Sequence, residues 1–400
     1  MGINSSNRRN SDIHIVQVSA WDVQMHHYLT ASAPHIQCAA SQSLATFGHD
    51  PAELGNCLLR VTLTTNTPSA AAVLSSLLAL SSLHRYGIHS HALDLKIKSI
   101  KALRAASKNG NIGTKEVIQH AAAGMLLCSF EVHQPSATSN QWAWYVAGVK
   151  QIISTAHLGS AQGDPDLDAI LDWVFYHGIV GRVTWGHWRE GTLTPPTCTQ
   201  YMSPDPYYLK DERTSHAAAP SSLTLLGLLC EFCEIASPSP RETMSTRELC
   251  EYTAYLKELD WKLTRIEPPG EGADTNTILE LYRLAILVYV NRMSDDLLEQ
   301  AGKIQKYVDK AFSLFAQLGS CERQFPVFIL GCEARTDEDR TVVLDLIART
   351  EKQHSSRSFD QVKILMKAVW AQDDLADREL NYWGKLSSII GSCSVVPSLV

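Results

Sequence analysis

One stretch limits the fold more than any other: Phe325 to Arg340, FPVFILGCEARTDEDR. Pro326 suits the first turn of a helix, where its missing N–H is not needed and its fixed φ is already helical. Val327, Phe328, Ile329 and Leu330 leave that helix almost no polar side, and Gly331, Cys332 and Ala334 are small enough to admit a neighbouring helix at close range. Such a helix has to be buried. Thr336 then reads as an N-cap, with Asp339 in the place of a capping-box acid and Asp337 and Glu338 on the positive end of the helix dipole. Val342, Val343, Leu344, Leu346 and Ile347 give the second helix its apolar series. Glu333 is the exception in the row. A carboxylate between Cys332 and Ala334 needs a partner or a shifted pKa once buried, and Arg323, Arg335 and Arg340 are the nearby candidates.

Segments of the same kind recur along the chain. PSAAAVLSSLLALSSLHRYG opens on Pro68 and closes on Gly87, as a buried helix should. His89 to Ser107 carries Leu93, Leu95, Ile97, Ile100 and Leu103 with Lys96, Lys98, Lys101 and Arg104 interleaved, which predicts an amphipathic helix with a basic outer face. Thr114 to His133 opens on an N-cap and is nearly all apolar, and Gln141 to His157 brings Trp142, Trp144 and Tyr145 together. Asp164, Pro165 and Asp166 start a helix in which Trp173, Phe175, Tyr176, Trp185 and Trp188 are mixed with His177, Arg182, His187 and Arg189. These rings either line a pocket or fill the core with their polar tips paired. Further helices are expected from Ser221, over Thr243 to Ile266, Thr275 to Met293 and Leu297 to Leu318, and over Ser358 to Ile390. Nowhere do alternating strand residues run between tight turns. The expected fold is therefore all-α, an irregular multi-helix array with one large or two abutting cores. Thr192 to Pro220, broken by Pro195, Pro196, Pro204 and Pro206, reads as a long loop and the one plausible boundary.

The 400 residues carry a net charge of −7, which gives no electrostatic signature of an autonomous nucleic-acid binder. No run of about eighteen uncharged apolar residues exists, and MGINSSNRRNSD at the start has no apolar stretch behind its charges, so no membrane association and a cytoplasmic or nuclear address are expected. The ten cysteines are scattered and read as reduced core residues. Cys230 and Cys233 form a Cys-x-x-Cys, but no second pair of thiols or imidazoles stands at a zinc spacing. Gly-x-Ser-x-Gly, a phosphate-cradling Gly-rich loop and His-Glu-x-x-His are all missing.

Two acidic stretches are the remaining candidates for chemistry. Asp295, Asp296 and Glu299, and Asp373, Asp374 and Asp377, each spell Asp-Asp-x-x-acid. On helices facing one cavity they could hold Mg²⁺ against a prenyl diphosphate, as in class I terpene cyclases, with Arg292 as the diphosphate cation and the 142–188 aromatics steadying carbocations. They could equally be acids at helix ends, where the macrodipole favours them without any metal.

SSLLALSSLHRYG, GMLLCSFEVHQ followed by QWAWYVAGVK, WVFYHGIVGRVTWGHWRE, LLGLLCEFCEI, FPVFILGCEARTDEDR and AVWAQDDLAD, in this order over roughly residues 60–400, resemble the regulatory domain of fungal zinc-cluster transcription factors. The resemblance implies an all-α regulatory domain in a nuclear protein that controls transcription, working through protein partners or a small-molecule effector, with a homodimer open. It implies no catalytic residue and no cofactor, and since AVWAQDDLAD looks like part of the family pattern, Asp373, Asp374 and Asp377 lose weight as metal ligands. The family reads DNA through an N-terminal six-cysteine cluster, and residues 1–59 hold only Cys38 and Cys57, so no direct nucleic-acid contact is expected. The resulting expectation is a regulator-like protein in the control of fungal secondary metabolism, with a Mg²⁺-dependent terpene cyclase on a related scaffold as the alternative.

Overall fold

A computed structural model of the chain describes residues 44, 47, 51–108, 113–134, 140–156, 164–188, 221–236, 240–266, 273–353, 359–375 and 381–400. Among the described residues fifteen helices form and no strand. The expected loop over 192–220 lies outside the described residues.

The first layer is α1 (Pro51–Leu63), α2 (Pro68–Tyr86), α3 (Ser90–Ser107), α4 (Thr114–Val132) and α5 (Gln141–Thr155). Thr67 caps α2, its hydroxyl accepting from the Ala70 N–H at 3.2 Å ahead of Pro68, and Gly87 ends it at φ 72°. Helix α4 starts differently from the expectation. Gly113 is the cap residue, its N–H donating to the Glu116 carboxylate at 3.1 Å, and Thr114 is already helical. Small residues let these helices close up: a Cβ on Gly124 of α4 would stand 2.4 Å from a methyl of Val149 on α5.

Helix α6 (Pro165–His187) runs from this layer to the second and starts where its sequence predicts, with the Asp164 carboxylate capping it by accepting from the Asp166 N–H. The second layer comprises α7 (Ser221–Ile235), α8 (Pro240–Thr243), α9 (Thr246–Arg265), α10 (Ala273–Met293), α11 (Ala301–Gln317), α12 (Gln324–Gly331), α13 (Asp337–Gln353), α14 (Asp360–Leu375) and α15 (Tyr382–Gly391). At its centre lies α10, packed against α9, α11, α12, α7 and α15. Every residue of α12 is buried, as its lack of a polar side requires. The Tyr176 and Tyr282 hydroxyls meet at 2.6 Å between α6 and α10, with the Phe47 ring 4.0 Å from that of Tyr282 and the Phe325 ring of α12 stacked against it at 5.9 Å. Buried apolar residues of both layers form one continuous cluster.

Three expected spans are redrawn. The Thr243–Ile266 helix starts later than expected: Thr243 ends the short α8, and Ser245 and Glu248 close a full capping box that starts α9 at Thr246. Helix α11 begins at Ala301 instead of Leu297, since residues 294–298 form a turn in which Asp295 and Asp296, with Glu299 just after it, have positive φ (52°, 62° and 51°). The Ser358–Ile390 stretch is two helices, the second capped by Asn381 accepting from the Gly384 N–H at 2.7 Å. Beyond α15 the chain returns over the first layer: the Trp142 indole donates to the Val396 carbonyl, and the Trp188 indole to the Cys393 carbonyl, both at 3.1 Å.

Candidate functional site

Glu333 sits just past α12 and is 3% exposed. Burial at that point demands a cation, and it comes from Arg292 in the last turn of α10: Nε donates to both carboxylate oxygens at 3.2 Å and Nη2 to Oε2 at 2.7 Å. Burial pulls the Arg292 guanidinium down and the Glu333 charge more than offsets it, so its pKa is raised. Of the three cations expected from sequence proximity, Arg335 lies 3.9 Å from Glu333, and Arg340 pairs elsewhere. Arg292, which the cyclase alternative would set against a diphosphate, is paired with Glu333. The two are 41 residues apart in the chain, and the only signal was a lone cation ending an apolar helix.

The pair extends into a chain of charges. Arg335 Nη1 donates to Asp373 on α14 at 2.5 Å, and Asp373 also accepts from Lys385 on α15. Arg340 in the first turn of α13 forks onto Asp374 at 2.7 and 2.9 Å, and its hydrogen bonds hold the Asp374 carboxyl below the usual range. The Trp370 indole donates to the Gly331 carbonyl at 2.9 Å, and the Arg340 guanidinium lies 5.5 Å from the Trp370 ring. The Thr336 capping box is present as the sequence predicts: Asp339 N–H to Thr336 Oγ1 is 3.1 Å, and Thr336 N–H to Asp339 Oδ2 is 3.4 Å. The FPVFILGCEARTDEDR stretch and AVWAQDD are thus two sides of one assembly. Five elements, α10, α12, α13, α14 and α15, are tied by it, and Glu333, Asp373 and Asp374 each have a cation partner within the chain.

The other acidic stretch is built differently. Asp295, Asp296 and Glu299 stand in a turn with left-handed backbone, so the helix face that would align first and fifth acids does not exist there. Arg241 donates to the Asp295 carbonyl at 3.3 Å and lies 3.6 Å from its carboxylate. Asp377 lies outside the described residues. Among the described residues no group of three or more His, Cys, Asp or Glu is placed to hold a metal ion.

The aromatics of α5 and α6 fill the core. Trp142, Trp173, Tyr176, Trp185 and Trp188 are buried, while Trp144 faces solvent. His187 is buried between α6, α10 and α15, with Nε2 3.0 Å from the Tyr289 hydroxyl and Nδ1 3.0 Å from the Ser387 hydroxyl; burial lowers its pKa to about 4, so it is neutral at ordinary pH. Cys230 and Cys233 lie on α7 with free thiols, pushed up by burial to about 11 and about 12. All described cysteines are free, as expected, although Cys250 is exposed. An open cleft of about 420 Å³ lies between α9, α10 and α11, and Glu280 in its lining is paired with Arg283 and Lys310 at 2.6 Å.

Residues 24–388 match the family described as the fungal specific transcription factor domain. A curated relative, the transcription factor iacI of the fungus Pestalotiopsis fici, is 41% identical over 367 residues, which covers 91% of this chain and 93% of that protein. No solved structure matches the chain.

Proposed function

The chain belongs to the family of the fungal specific transcription factor domain, a transcription-regulator-like protein, and from that premise we propose that residues 60–400 form a regulatory module that works in the nucleus through protein partners or a bound small ligand, in the control of secondary metabolism. What carries this is a match running through nearly the whole helical array, combined with carboxylates that are spent on the chain's own cations. A module of this kind needs a rigid charged framework and outward surfaces; it needs no reactive centre. The terpene cyclase alternative has no support: Arg292, Asp373 and Asp374 are engaged, and Asp295, Asp296 and Glu299 do not share a helix face.

Deleting the gene and sequencing the transcripts tests the proposal. A defined set of transcripts should change, while purified protein given Mg²⁺ and farnesyl diphosphate should release no hydrocarbon. Unaltered transcripts together with a vanished metabolite, or a hydrocarbon product in the tube, would overturn it.

A further inference from the structure

The sequence places the lysines of α3 outward, and it gives no warning that apolar residues share that side. Leu93, Ile97 and Ile100 are 38%, 47% and 40% exposed, whereas Ala92, Leu95, Ser99 and Ala106 are buried. The buried face is the one that meets α2, where the Ser99 hydroxyl donates to the Ala72 carbonyl at 2.9 Å. Spacing of i, i+4 and i+7 puts the three exposed side chains in one row along the helix, and Tyr86 and Ile88, also exposed, stand just before its start. A row of this kind is what an amphipathic helix lays its own apolar face against.

Charge selects the occupant. Lys98, Lys101, Arg104 and Lys108 are exposed on α3 and at its end, against the single acid Asp94, on a chain whose net charge is −7. Lys96 is turned away to Glu131 at 2.5 Å and does not contribute. A second copy of α3 would bring cations against cations, and a nucleic acid would take the lysines while leaving the apolar row wet. A row only three side chains long is also narrow for insertion into a lipid surface. We propose that the outer face of α3 docks an acidic amphipathic helix from a partner protein, with Leu93, Ile97 and Ile100 as the apolar seat and Lys98, Lys101 and Arg104 as the charged rim. The proposal rests on the regulator reading for its purpose and names the partner chemistry, while the surface itself is measured without reference to transcription.

The test uses the full chain and a designed peptide carrying leucines at i, i+4 and i+7 flanked by glutamates, followed by fluorescence anisotropy. A control peptide has lysines in place of the glutamates. The acidic peptide should bind about tenfold or more tightly than the basic one, Ile97→Glu should weaken it by about tenfold, and added salt should weaken it further. Lys98→Glu with Lys101→Glu should reverse the preference between the two peptides, which a merely misfolded variant would not do. Equal binding of both peptides, or acidic-peptide binding that survives Ile97→Glu, overturns the proposal. So does Ile97→Glu dissociating a dimer of the wild-type chain, or abolishing binding to anionic phospholipid vesicles while peptide binding is nil. Failure here leaves the gene-deletion test untouched, so a wrong surface and a wrong regulatory role are told apart.

Discussion

Asp295–Glu299 and Asp373–Asp377 share one spelling and two structures. The acids at 373 and 374 close the last turn of α14 and each meets a cation from another element, Arg335 and Lys385 for the first and Arg340 for the second. The acids at 295, 296 and 299 bend the chain between α10 and α11 through left-handed backbone, and Arg241 holds the turn by its carbonyl oxygen. The first region stores its stability in long-range pairs around a buried carboxylate; the second only has to turn a corner. A pattern of acids fixes neither helix nor metal, because the partners decide, and partners are set by tertiary packing.

Substitutions should separate the two regions sharply. The largest loss is expected for Arg292→Met, which leaves Glu333 buried without its cation and should cost about 3 kcal/mol in urea unfolding. Asp373→Ala should come next, at about 2 kcal/mol, since it strips Lys385 and Arg335 of a shared acceptor. Thr336→Ala removes one side of the α13 capping box and should lower stability by about 1 kcal/mol, read as a shift in the thermal midpoint. Asp296→Gly reverses the sign: at φ 62° a glycine relieves the backbone, and a gain of about 0.5 kcal/mol is expected, where a loss would mean the acid has a partner that matters. Mg²⁺ with inorganic diphosphate should leave the thermal midpoint where it is, in the wild type and in Asp295→Asn alike.

Much of the array is legible in the sequence because its signals are local. Pro68, Asp164 with Pro165, and Thr336 with Asp339 mark helix starts, and the structure keeps each of them through bonds made within a single turn. Glu333 could be recognised as an acid needing a cation, but not as the partner of Arg292, because that bond depends on how α10 crosses α12. The same limit explains α3. Its Leu, Ile and Lys residues interleave so closely that periodicity alone could not assign Leu93, Ile97 and Ile100 to the outside; Ala92, Leu95 and Ser99 take the inner face, where the Ser99 hydroxyl bonds the Ala72 carbonyl of α2. Aromatic residues of α5 and α6 admitted a pocket or a core, and indole bonds to the Val396 and Cys393 carbonyls place Trp142 and Trp188 in the core. Left-handed Asp295 and Asp296 carried only the weak cue that aspartate tolerates such backbone better than most residues, and Glu299 carried none.

The central claim is that these carboxylates hold helices together. A double-mutant cycle on Arg292 and Glu333, followed by urea unfolding, tests it most directly. Arg292→Met should be strongly destabilised, the Arg292→Met, Glu333→Leu double variant should recover most of that loss, and the coupling should exceed about 2 kcal/mol. Single variants that unfold like the wild type, alongside a wild-type chain that Mg²⁺ and diphosphate stabilise and Arg292→Met does not, would contradict it.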